Sequence, residues 1–256
     1  MSAKLDGCSF VADYDNGEFV SGTSRGDGTN GTNWTGKLKY ILPKTIKTKN
    51  PITIRGELVM LGDAYKTLGM KNPRNGVTGI MGEDRILPEK LKYVSALVYD
   101  ILGTDMPAVE IFETLELDFT VPFWRVMNVT DTTEEDLKTL YLKWKEEADF
   151  WMDGLVISEV NYVNEDVYYP ELKVAFKVNS EGVPTKVVGV EWNTSMLGSI
   201  TPVVLLEPVE IDGTTVKRAS GYNAKYILDN KIKIGTTVYI IKSGEIIPKI
   251  IKVVND

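Results

Sequence analysis

The sequence predicts an α+β protein in two parts: antiparallel sheets with accompanying helices over residues 1–180, then a small β-barrel over residues 181–256. Three features lead there. The first sixty residues alternate strand patterns with turns, and a helix-period segment begins near Asp131. Beyond Asn179-Ser180-Glu181-Gly182-Val183-Pro184 the texture changes to short β-rich runs, which places a boundary at about residue 181.

Cys8 to Tyr14 alternates apolar and polar residues through Cys8, Phe10, Ala12 and Tyr14, and Asp15-Asn16-Gly17 turns it into Phe19 to Thr23. Asn and Gly both accept positive φ, so this is a hairpin signal with a mechanism. Gly22 to Gly31 is too dense in glycine for a regular element, and Ile52 to Met60 reads as a further strand. Near Asp131, Thr132 with Glu135 predicts a capping box, and Leu137, Leu140, Tyr141 and Trp144 recur at helical spacing. Asp131, Glu134 and Glu135 suit the positive end of that helix. Leu155 to Val160 and Leu172 to Val178 read as core strands.

The second part runs through Thr185 to Trp192, Ile200 to Ile211, Thr214 to Lys217, Thr236 to Lys242 and Ile246 to Val254. Turns at Asp212-Gly213 and Ser243-Gly244 separate some of these runs, and Tyr222 to Leu228 reads as a short helical insert. Five short strands with one small helix fit a Greek-key barrel such as an OB-fold. The alternation by itself also admits a sandwich.

Composition narrows the chemistry. The chain holds no histidine, which removes Ser-His triads, imidazole acid/base catalysis and imidazole metal sites. Its single cysteine, Cys8, excludes an internal disulfide framework and a four-cysteine zinc site. No apolar run approaches the ~20 residues of a membrane span, and no secretory segment opens the chain, so a cytoplasmic protein without membrane contact is expected. The formal charge of −7 argues against a self-sufficient nucleic-acid clamp. Basic residues do cluster at Lys37, Lys39, Lys44, Lys47 and Lys49, and again at Lys242, Lys249 and Lys252, either as a solvated fringe or as a phosphate-facing patch.

Catalysis must then rest on lysine, arginine, carboxylates or a hydrated metal. Lys4-Leu5-Asp6-Gly7 resembles the Lys-x-Asp-Gly nucleophile motif of covalent nucleotidyltransferases. After it come Ser24-Arg25-Gly26-Asp27-Gly28-Thr29, Ile54-Arg55-Gly56-Glu57, Asn72-Pro73-Arg74-Asn75, Asp153-Gly154-Leu155-Val156-Ile157 and Val174-Ala175-Phe176-Lys177. In order and spacing the series resembles the adenylation domain of NAD-dependent DNA ligases. The likeness continues through Gly198-Ser199-Ile200-Thr201-Pro202-Val203, Leu206-Glu207-Pro208-Val209 and Ser243-Gly244-Glu245-Ile246-Ile247-Pro248, and so covers nearly the whole chain. The fold it implies is a nucleotidyltransferase (adenylation) domain with antiparallel sheets followed by a small OB-fold β-barrel.

By that resemblance, Lys4 is the nucleophile that forms a phosphoramidate with AMP, while Asp6 and Gly7 shape the loop behind it. Arg25 and Lys177 would neutralise charge on the transferring phosphate, and Glu57 would accept from the ribose hydroxyls. Asp153 would act with Mg²⁺, and Arg74 would lie on the active-site or DNA face. The implied cofactors are NAD, as AMP donor, and Mg²⁺; the implied substrate is nicked double-stranded DNA, with RNA ends left open.

Four positions depart from the family pattern. Ser2 stands where a glutamate helps hold the adenine, and Ser158 where a lysine contacts the nucleotide. Gly82 and the stretch Ser195-Met196-Leu197 stand where arginines are usual, and Lys145 falls loosely where another arginine lies. The family's N-terminal nicotinamide-binding domain, the strand leading into Lys4 and the downstream zinc-finger, helix-hairpin-helix and recognition modules have no counterpart in these residues. The expectation is one subunit of a ligase encoded in two pieces, as in some large bacteriophages, with a partner covering a strand edge left open near Met1. Two other readings stay open: an ATP-dependent nucleotidyltransferase, and a catalytically degenerate OB-bearing DNA-binding subunit.

Overall fold

A computed structural model describes residues 1–26, 30–161, 173–178, 182–194, 198–211, 214–243 and 247–254. The chain forms two compact units, Met1–Val178 and Asn179–Asp256.

The first unit holds two antiparallel sheets. One is four-stranded, in the order β3-β2-β4-β5, from β2 (Cys8–Asp15), β3 (Glu18–Ser24), β4 (Ile52–Val59) and β5 (Ser95–Leu102). The other is three-stranded, in the order β1-β6-β7, from β1 (Ser2–Leu5), β6 (Met152–Ser158) and β7 (Lys173–Phe176). Among the described residues six α-helices accompany them: α1 (Thr35–Leu38), α2 (Ala64–Thr67), α3 (Pro73–Gly82), α4 (Pro88–Leu91), α5 (Ala108–Leu115) and α6 (Glu134–Glu147).

The β2/β3 hairpin forms as its pattern predicts, with Asn16 and Gly17 at φ 50° and 78° in the turn. Phe10, Ala12 and Tyr14 all point into the core, since alternate residues of a strand share one face. They pack with Ile54, Leu58, Val98, Ile101 and Ile111. Gly56 lets β4 lie against the Phe10 ring: a Cβ there would sit 2.7 Å from its edge.

A second core forms where the predicted helical face of α6 meets the smaller sheet. Leu140, Tyr141 and Trp144 are buried with Ala3, Phe150, Met152 and Leu155. The cap falls one residue later than expected: Thr133 and Asp136, not Thr132 and Glu135, make the reciprocal capping box. Thr132 is turned away because its hydroxyl donates to the Asn128 carbonyl.

Two further expectations are corrected. The residues before the nucleophile do form a strand, β1, and its edges are covered. One edge pairs with β6, and along the other Ala3 N donates to Phe123 O at 2.8 Å while Arg125 N donates to Met1 O at 2.9 Å. Lys37 belongs to no solvated basic face: it is buried, and its ammonium donates to the carbonyls of Ile80, Met81 and Glu83 at the end of α3. Lys39, Lys44 and Lys49 stay exposed.

The second unit is a closed barrel in the order β10-β12-β11-β8-β9. Its strands are β8 (Val183–Thr194), β9 (Ile200–Ile211), β10 (Thr214–Ser220), β11 (Thr237–Ser243) and β12 (Ile247–Val254). Closure rules out the open sandwich. Val187, Val204, Leu206, Val238, Ile240 and Ile250 fill the interior, and α7 (Ala224–Asp229), capped by Asn223, adds Ile227 to it. The expected turns at Asp212-Gly213 and Ser243-Gly244 fall on or beside residues outside the described set, as does Met196.

Candidate active site

Residues from both sheets of the first unit line a pocket of about 710 Å³, within the ~300–1,000 Å³ usual for small-ligand sites. Lys4, Arg25, Glu57 and Arg74 all reach it, from β1, the end of β3, β4 and α3. Four expected residues from distant parts of the chain therefore meet at one surface.

Lys4 is half-buried, and its ammonium donates to Asp153 Oδ1 at 2.7 Å. Lys177 donates to the other oxygen of the same carboxylate at 2.6 Å. The register explains the meeting: Lys4 pairs with Gly154 across β1/β6, and Leu155 pairs with Phe176 across β6/β7. Gly154 is required for close approach, because a Cβ there would lie 2.3 Å from the Phe176 carbonyl oxygen and 3.3 Å from Lys177 Cγ.

Asp6 accepts from Arg74 at 3.2 Å and is nearly buried, with its backbone N–H bound to Trp151 O. Gly7 follows because the loop presses on β4, where a Cβ would come within 2.1 Å of Leu58 O. Arg74 stands in the first turn of α3, which Asn72 caps and Pro73 opens. It is therefore a helix residue that lines the pocket. Arg25 follows β3 and is anchored by its backbone N–H to Ser9 O.

Glu57 sits deep among these cations. Burial pushes its carboxyl up to about 7, against the pull of Arg74, Lys4 and Arg25. A raised carboxyl pKa means that between its ordinary 4.5 and about 7 the folded chain holds a proton the unfolded chain has lost. Stability from this group is therefore present at low pH, falls as pH rises through that window, and levels off above it. In Glu57→Gln that decline is expected to vanish. Urea midpoints of both proteins at about pH 5 and about pH 8 check it; an unchanged decline in the variant would assign the effect to another group.

Asp153 also bears on Mg²⁺. Both of its oxygens are engaged by ammonium groups, and no group of three or more His, Cys, Asp or Glu side chains gathers at a metal-sized site among the described residues. The side chains as arranged do not form a cage that holds a divalent ion without substrate phosphates and water. Asp153 also organises two lysines.

Comparison with known proteins decides the family. Residues 1–177 match the NAD-dependent DNA ligase adenylation domain, and residues 184–256 match the NAD-dependent DNA ligase OB-fold domain. The chain belongs to the NAD-dependent DNA ligase family. It is 32% identical to a DNA ligase of Thermotoga neapolitana over 97% of this chain and 39% of the relative. DNA ligases of Thermosipho africanus and Limosilactobacillus reuteri are also 32% identical, each over 99% of this chain and 41% and 40% of their own lengths. The chain thus spans about two-fifths of the relatives it matches.

Within this ligase-family pocket, Ser2 and Ser158 both line the wall, so the two departures fall on the site itself. Gly82 ends α3 with nothing near its Cβ position, and Lys145 lies on α6 with its ammonium over the Tyr141 ring. Neither lines the pocket. The sequence reading missed Trp34, Tyr99, Asp100 and Lys173, all of which do. Lys173 carried a usable signal: it lies four residues before Lys177 along one extended run, and period two puts both on one face.

Proposed function

We propose that this chain carries out the nucleotidyl-transfer chemistry of an NAD-dependent DNA ligase. Lys4 takes AMP from NAD, the adenylyl group passes to the 5′-phosphate of nicked double-stranded DNA, and the 3′-hydroxyl displaces AMP to seal the nick. The observation that carries the reading is Lys4, bonded to an Asp153 that also holds Lys177, lining one nucleotide-sized pocket with Arg25, Arg74 and Glu57. The Lys4 nitrogen attacks the phosphorus with its lone pair, the bond from phosphorus to the nicotinamide mononucleotide leaving group breaks, and Asp153 is placed to receive the proton the amine gives up. Lys177, Arg25 and Arg74 face the charge that builds on the phosphate oxygens. Glu57 in its ionised form accepts from the ribose hydroxyls.

No step is routed through Mg²⁺. A divalent ion would be held by the nucleotide's phosphates and water more than by side chains. A second polypeptide recognising the nicotinamide half, and a place in cytoplasmic DNA replication and repair, complete the proposal.

The test is covalent labelling of the purified chain with adenine-labelled NAD or ATP, alone and with a nicotinamide-binding ligase fragment added. Label from NAD that is then discharged onto nicked DNA is the expected result; a requirement for the fragment would support the two-polypeptide arrangement. Label from ATP alone would move the chain to the ATP-dependent class. No label under any condition would leave a DNA-binding module.

A further inference from the structure

The pocket has two ends. At one, Lys4 lines the wall where the phosphate would react, bonded to Asp153, which in turn binds Lys177. The other end follows from the sheet register. Residues 154, 156 and 158 of β6 share a face, and Val156 and Ser158 line the pocket. From Gly154 to Ser158 the strand advances by about 13 Å at ~3.3 Å per residue, a distance comparable to an AMP from its phosphate to the far edge of its purine. Ser158 therefore marks the base end, and Ser2 lies between the two, paired with Val156.

Neither serine can supply what a charged pair would at that end, but a charged pair is there. Lys173 is the direct register partner of Ser158 across β6/β7, so its side chain leaves the sheet on the same face and beside it. Asp100 enters from β5 of the other sheet, and its side chain is only 5% exposed. The Lys173 ammonium lies 3.9 Å from Asp100 Oδ2, an ion pair beyond hydrogen-bonding distance, and both residues line the pocket.

We propose that Lys173 and Asp100 read the base edge of the bound adenine nucleotide, the ammonium donating to N1 and the carboxylate accepting from the 6-amino group. Lysine only donates and an ionised aspartate only accepts, and adenine offers an acceptor and a donor side by side on that edge. The pair thus supplies from two other strands the recognition that Ser2 and Ser158 lack. Guanine presents the opposite polarity at the same two positions. The inference rests on the adenylyl-transfer reading, which puts the reacting phosphate at Lys4.

Calorimetric titration of the full chain with AMP, 1-deaza-AMP, purine riboside 5′-monophosphate and ribose 5-phosphate tests it. The wild-type chain is expected to prefer AMP over each of the two base analogues by about 10- to 100-fold, the range for hydrogen bonds to charged groups. Lys173→Ala should erase the preference over 1-deaza-AMP while leaving 1-deaza-AMP affinity within about twofold, and adding Ser158→Lys should restore the preference. Asp100→Asn should weaken only the preference over purine riboside 5′-monophosphate. The analogue series on the unmutated chain keeps the idea falsifiable if either variant folds poorly. AMP bound no better than ribose 5-phosphate would sink the adenylyl-transfer reading and this inference together. Tight AMP binding with no discrimination among the base analogues, or discrimination that survives in Lys173→Ala, would overturn the inference alone.

Discussion

Lys4→Ala is expected to abolish covalent AMP on the chain, a loss of about 10⁴-fold or more, as befits removal of a covalent nucleophile. Its stability should barely change. The Lys4–Asp153 pair is about a quarter exposed, 30% and 23% for the two side chains, so solvent screens it in part. Lys177 also remains to face the carboxylate. Lys4→Arg separates charge from nucleophilicity: the guanidinium keeps a cation opposite Asp153 but stays protonated and cannot attack phosphorus. Both variants should keep nucleotide affinity and take no label. Radiolabel on either that survives alkali and is lost in acid, as a lysine phosphoramidate does, or an adenylyl mass on intact protein, would remove Lys4 from the role of nucleophile.

The second large effect is expected at Asp153. Asp153→Asn leaves the side-chain shape but removes the charge that holds two ammoniums, at 2.7 and 2.6 Å, on one group. Self-adenylylation should slow by about 10²- to 10⁴-fold, the range of general acid/base contributions. The loss should fall on the rate and far less on KM for the nucleotide, because the carboxylate faces Lys4 and not the base. The deficit should shrink as pH rises, since solvent base then replaces the missing proton acceptor. Single-turnover labelling across a pH series measures both. A rate unchanged from wild type, or a defect wholly in KM, would show that Asp153 does not act on the reacting lysine.

Architecture was legible in the first hairpin, the α6 segment and the second unit, where local physics and tertiary structure agree, while the helices and strand of residues 61–130 were not read from the pattern. Phe10, Ala12 and Tyr14 alternate and are buried as one strand face, and Asn16-Gly17 makes the turn its positive φ values allow. The barrel strands and the insert at Ala224–Asp229 follow from alternation and from the Asn223 cap. The cap of α6 was misplaced by one residue because Thr132 and Thr133 both satisfy the local rule, and only the Asn128 carbonyl decides between them.

Site residues divide in the same way. As candidates, Lys4, Arg25, Glu57, Arg74, Asp153 and Lys177 could be picked from the chain, since each sits in a short motif of recognisable order. Their mutual contacts could not. Asp6 reaches Arg74 over 68 positions, and Lys4 reaches Asp153 over 149.

The sequence by itself determined the β2/β3 hairpin, the α6 helix, the β-rich character of the second unit, the family and the candidate groups for chemistry, because these depend on periodicity, turn residues and motif spacing. Tertiary structure alone decided that Lys37 is buried on the end of α3, that Asp153 serves two lysines, and that Lys173 and Asp100 face each other. The reason is physical. Each of these contacts joins different strands or helices, so it is set by strand register and sheet packing, which no local pattern encodes.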